Sequence, residues 1–156
     1  MIGIAGTVLA GIGGQCASAW LEDRRATRAR QATWVDETRV ALQEASSEFL
    51  EAQLALDRQI IRPGSHALDS HALYAPLLKH EGAIALRLGA SHPVAEVFSE
   101  AVAKLAVVEN LIALGQTGGE AVADRNEAYD LHKRFLDLAA PLVRPDGLPK
   151  GQDSGG

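Results

Sequence analysis

Val35, Leu42, Phe49 and Leu56 recur at strict seven-residue intervals, and Thr38, Ala45 and Ala52 stand three residues after the first three of them. A period of seven returns a side chain to nearly the same face of an α-helix, so these positions form one apolar seam with a large row and a small row. Small residues in one row let a second helix approach closely. The segment is therefore a helix-packing seam, facing an antiparallel neighbour of the same chain or a second copy. "RPG" at Arg62–Gly64 ends it, because proline lacks the amide that the helix needs and glycine favours a C-terminal cap.

Two further breaks divide the rest of the chain. Pro76 does not suit the interior of a helix, so "GSHALDSHALYAP" is expected to be a loop or a short helical turn. A helix then runs from near Pro76 to Gly89, burying Leu77, Ile84 and Leu88. Ser91 is the expected N-cap of the next helix, with Pro93 in its first turn. Val94, Phe98, Val102, Leu105, Val108 and Ile112 follow at spacings of three and four, the signature of an amphipathic helix. After "GQTGGE", Thr117 and Glu120 have capping-box spacing and open a last helix whose buried face is Ala128, Leu131, Phe135, Leu138 and Leu142. Pro141 and Pro145 are expected to end it. The remaining "RPDGLPKGQDSGG" has too few apolar residues to pack.

At 156 residues the chain fits one domain, and only 4% of it is aromatic. Few β-branched or aromatic clusters point to strands, so the fold class is all-α, an antiparallel helical bundle. A net charge of -5 excludes a general nucleic-acid binder, which needs a basic face to neutralise phosphates. The lone Cys16 excludes an internal disulfide.

The first 21 residues carry no charged side chain. As a helix at about 1.5 Å per residue they would extend roughly 31 Å, the thickness of a bilayer's hydrocarbon core. Neither a basic n-region nor a small-residue cleavage site marks a secretory signal, and "GGQC" does not match a lipoprotein box. Gly6, Ala10, Gly14 and Ser18 stand four apart, with Gly3, Thr7 and Gly11 as a parallel row, and such small-xxx-small stripes bring membrane helices into close contact. Trp20 and the cluster Arg24, Arg25, Arg28 and Arg30 have the order of a membrane interface and a cytoplasmic flank. Five glycines dilute the run, and the alternative is an interfacial helix or one that docks on a partner protein.

The expected organisation is thus a transmembrane or interfacial helix over 1–21, a basic juxtamembrane segment over 22–33, a helical bundle over 34–142 and a disordered tail over 143–156. It places the chain in the cell membrane as a single-pass protein, N-terminus outside and bundle in the cytoplasm. The alternative is a cytoplasmic bundle. The Gly-rich opening, "EDRRATRAR" and "EASSEFLEAQLALD" resemble the small membrane-anchored helical proteins of high-GC actinobacteria, over about residues 1–60. That resemblance implies an inner-membrane location and no enzymatic activity.

Reactive constellations are sparse. The chain has no Glu-x-x-His pair of the kind that builds a di-iron bundle, and neither "GIGGQ" nor "GQTGG" has the Gly-Lys-Ser/Thr ending of a phosphate loop. His66 and His71 flank Asp69, and His80 precedes Glu81; these read as solvated histidines, with a metal or catalytic pocket as the competing interpretation. His132, between Asp130 and Lys133, is expected on a helix surface. Cys16 reads as a small apolar residue rather than a nucleophile. The sequence therefore predicts no catalytic residues, no metal, no cofactor and no small-molecule substrate. Its partners are membrane lipid together with a second copy or a protein partner. Pore formation by the Gly-rich helix is a further alternative.

Overall fold

The computed structural model describes the backbone over residues 5–64 and 69–143 and the side chains over 22–64 and 69–143. Four helices occupy it: α1 (Ala5–Ile61), α2 (Ser70–Leu88), α3 (Pro93–Ala113) and α4 (Gly119–Val143). The chain is all-α across these residues. It divides into two units, Met1–Glu37 and Thr38–Gly156.

In the first unit, the chain is helical from Ala5, and the basic segment over 22–33 is part of α1. Every side chain from Glu22 to Trp34 is exposed. Among the described residues no helix is long and apolar enough to cross a membrane. The side chains of the expected span, 1–21, lie outside the described residues, as does the tail over 144–156.

The second unit is a bundle around one apolar core. From α1 come Leu42, Ala45, Phe49, Ala52 and Leu56, all buried; Leu77 and Ile84 come from α2, and Val94, Phe98, Ala101, Leu105 and Val108 from α3. Ala128, Phe135 and Ala139 complete the core from α4. Phe98 contacts Phe49 on one side and Phe135 on the other, at ring-centroid distances of 6.4 and 5.0 Å. The seam on α1 is therefore occupied from within the same chain. Val35, at its N-terminal end, is half-buried.

Helix boundaries depart from expectation in four places, each with a local cause. The first is α2, which begins at Ser70 and carries Pro76 inside it. Asp69 is its N-cap, accepting a hydrogen bond from the Ala72 amide at 3.1 Å, and Ser70 is hydrogen-bonded to Glu109 of α3. This anchored start, with Leu73, Tyr74 and Leu77 packing into the core, offsets the single backbone bond that Pro76 removes. The second is the N-cap of α3, which is His92 rather than Ser91; its Nδ1 accepts from the Val94 amide at 3.2 Å, with Pro93 following in the first turn.

The third is the start of α4, at Gly119: the Gly118 carbonyl accepts the first helical bond, from the Val122 amide at 3.1 Å, so the helix begins one residue later than a cap at Thr117 would place it and Glu120 is its second residue. The fourth is its end, which passes Pro141 to reach Val143. There the proline forfeits one bond in a last turn that Leu142 and Val143 still pack against the core. Elsewhere the expected stops hold. Gly64 and Gly89 both have positive φ, 77° and 96°, a conformation open to glycine and strained for other residues.

Candidate functional site

The α1–α4 seam brings together the most unusual polar group of the bundle. Ser46 Oγ and His132 Nε2 are hydrogen-bonded at 3.0 Å. His132, expected on the surface, is only 2% exposed. Its ring stacks on Phe49 with centroids 4.5 Å apart and planes 16° from parallel, and Phe135 lies beyond at 6.1 Å. Burial alone lowers its pKa from the ordinary 6.5, because an imidazolium in this apolar setting gives up its hydration. The ring is thus neutral at pH 7.

Position 132 is buried for a reason already present in the sequence. It lies four residues after Ala128, seven before Ala139 and three before Phe135, so it falls within the core-facing arc of α4. Residue type argued for the surface and helix geometry for the interior. Ser46 and the flat face of Phe49 resolve the conflict by giving the ring a hydrogen bond and an aromatic partner.

Beside this pair is a groove of about 320 Å³, lined by Leu42, Gln43 and Ser46 of α1 and by Phe135, Leu136, Ala139, Ala140 and Val143 of α4. Gln43 and Ser46 are its polar residues; the other lining residues are apolar. Such a surface excludes water from apolar contacts and offers one or two hydrogen bonds for orientation. Backbone N–H groups on α1 and α4 are committed to their helices, so they do not supply the paired donors that stabilise an oxyanion. The arrangement suits binding better than acyl transfer.

Other polar contacts hold helices in register. Lys104 of α3 reaches Asp124 at 3.1 Å and Glu127 at 2.7 Å on α4, and those two partners raise its pKa. Asp57 of α1 meets Arg125 of α4 at 3.2 Å. Ser99 of α3 donates to Glu81 of α2 at 2.6 Å. Tyr74 has its pKa raised, first by burial and then by the charge of Glu109.

The residues singled out in the sequence separate in the structure. Gly6, Ala10, Gly14, Ser18 and Trp20 lie on the helical backbone of α1, with side chains outside the described residues, as is Cys16. Arg24, Arg25, Arg28 and Arg30 are exposed. His66 is outside the described residues, His71 is exposed on the first turn of α2, Asp69 serves as its cap and His80 is buried. Among the described residues no three His, Cys, Asp or Glu side chains group so as to hold a metal ion.

The chain matches no protein-family profile, no curated protein and no solved structure.

Proposed function

We propose that this chain is a helical-bundle interaction module that works by association with a protein partner and not by catalysis. The observation that carries this reading is a second apolar row on α1. Val40, Leu54 and Ile61 share one face at multiples of seven residues, Leu50 stands four before Leu54, and all four are exposed. Val40, Leu54 and Ile61 are offset by two residues, about 200° of helix, from the register of the buried row Leu42, Phe49 and Leu56, with Leu50 at their flank. Isolated exposed apolar side chains are ordinary, whereas a row of them opposite the core face of one helix is what a docked helix would cover. The exposed, arginine-rich stretch Glu22–Trp34 extends α1 beyond the residues that form the core and supports a docking role for its N-terminal part.

A membrane-tethered version of the same module is the second reading. The uncharged opening run followed by the exposed Arg24, Arg25, Arg28 and Arg30 favours it, as does the resemblance to membrane-anchored actinobacterial proteins. The stripe Gly6, Ala10, Gly14 and Ser18 would then pair two copies, or one copy and a partner, within lipid.

Fractionation of cells expressing the full chain, with alkaline carbonate extraction of the membranes, separates the two. Release into the detergent-free fraction as a monodisperse particle supports the docking module. Retention in the carbonate-washed pellet supports the tether and overturns the first reading of the N-terminal segment. In either fraction, crosslinking of wild type against a Val40→Ser, Leu54→Ser, Ile61→Ser variant tests the exposed row: loss of crosslinked species supports it, and an unchanged pattern removes it.

A further inference from the structure

His132 stands directly behind the groove, since its hydrogen-bond partner Ser46 and its ring neighbour Phe135 both line that cavity. We propose that protonation of His132 opens the α1–α4 groove, so that this seam is an acid-responsive element of the bundle.

The neutral ring suits its place. Ser46 can donate to an unprotonated Nε2 or accept from a protonated one, and the stacked Phe49 face covers the rest. A charged ring does not suit it. Both ring nitrogens become donors, and the attraction of a cation for the Phe49 face is smaller than the hydration that burial withholds.

Among the described residues no charge is placed to compensate. On the side of α1 that carries Ser46, the charged residues in register are Arg39, seven positions before it, and Asp57, eleven after it, and Asp57 is engaged with Arg125 of α4. From α3 the core-facing neighbours are Phe98, Ala101, Val102 and Leu105, none titratable, while Lys104 is held by Asp124 and Glu127. The buried titratable group of α2 is His80, which supplies no counter-charge, and on α4 itself Asp130 and Lys133 pair with each other at 3.6 Å. Burial is accordingly the sole cause of the lowered His132 pKa.

The groove lies beside the Ser46–His132 pair, and its α4 wall lacks one helical hydrogen bond. Leu136, Ala139, Ala140 and Val143 belong to the last two turns of that helix, and Pro141 lacks the amide that would bond back to the Asp137 carbonyl. The sign of the linkage follows. A folded-state pKa below 6.5 gives stability that is present above that value and declines as pH falls toward the folded value, by at most about tenfold in the folding constant per pH unit.

The test follows the wild-type full chain by NMR between about pH 7.5 and pH 5, above the range where ordinary carboxylates titrate. The expected result is a His132 ring titration below 6.5 with the Ala139 and Ala140 amides shifting at the same midpoint. Emission of an apolar-surface dye should rise several-fold at that midpoint and stay flat for His132→Gln. A ring that titrates while those two amides stay still overturns the proposal. So does a His132→Gln chain whose dye emission rises as in wild type. Should that variant fail to fold, the wild-type amide shifts decide the matter alone.

Discussion

The His132 ring lies nearly parallel to the Phe49 ring, 4.5 Å between centroids, and so joins α1 to α4 through a stacked contact in the middle of the bundle. Phe49 also meets Phe98 of α3, so it contacts side chains of two other helices. Phe49→Ala should therefore cost about 3–5 kcal/mol, the range for deleting a fully buried aromatic side chain. Phe49→Leu should cost less, since most of the volume is kept. Urea unfolding followed by circular dichroism measures both, and an alanine variant within 1 kcal/mol of wild type, roughly an ordinary surface substitution, would refute this placement.

Ser46 and His132 form a pair whose members should not act independently. Ser46→Ala leaves His132 Nε2 without its partner and should cost about 1–3 kcal/mol. Replacing both, as Ser46→Ala with His132→Phe, removes the polar requirement and should cost less than the two single changes added together. A double-mutant cycle read from unfolding free energies supplies the check. Strict additivity would mean that the 3.0 Å contact carries no coupling.

The legible parts of the fold were those set by spacing. The seven-residue interval of Leu42, Phe49 and Leu56 is the core face of α1, and the run from Val94 to Val108 is the core face of α3, because periodicity reports directly on which side of a helix meets its neighbours. Positions decided by competing local effects are not legible from spacing. Pro76 signals a helix start and Pro141 a helix end, yet one lost backbone bond is a smaller effect than the packing of Leu77, or of Leu142 and Val143. The candidate site was hidden by residue type: Ser46 and His132 lie 86 positions apart, and nothing local announces that a histidine between Asp130 and Lys133 turns inward to meet a serine.

The start of α2 gives two opposed predictions. Asp69→Ala removes the acceptor of the Ala72 amide and should destabilise by about 1 kcal/mol, while Asp69→Asn, which keeps a capping oxygen, should be nearly silent. Pro76→Ala supplies the amide missing from the α2 ladder and should stabilise, the gain being reduced by the freer unfolded chain. Thermal unfolding of the three variants beside wild type tests the set. A destabilised Pro76→Ala chain would mean that the ring's own packing outweighs the backbone bond.

The N-terminal unit should be dispensable for folding of the bundle. Its described side chains from Glu22 to Trp34 are all exposed, whereas among the described residues the buried ones lie at or after Thr38. Removing the exposed side chains from Glu22 to Thr33 takes away little apolar burial, so the core is expected to keep its stability. A chain of residues 34–156 is expected to unfold within about 4 °C of the full chain, since a change near 1 kcal/mol shifts a domain of this size by only a few degrees. Its total helical signal should fall by the share that the missing helix contributed, with the cooperativity of the transition kept. A loss of more than roughly 10 °C, or a broadened transition, would show that the first half of α1 belongs to the cooperative unit and does more than present an accessible surface.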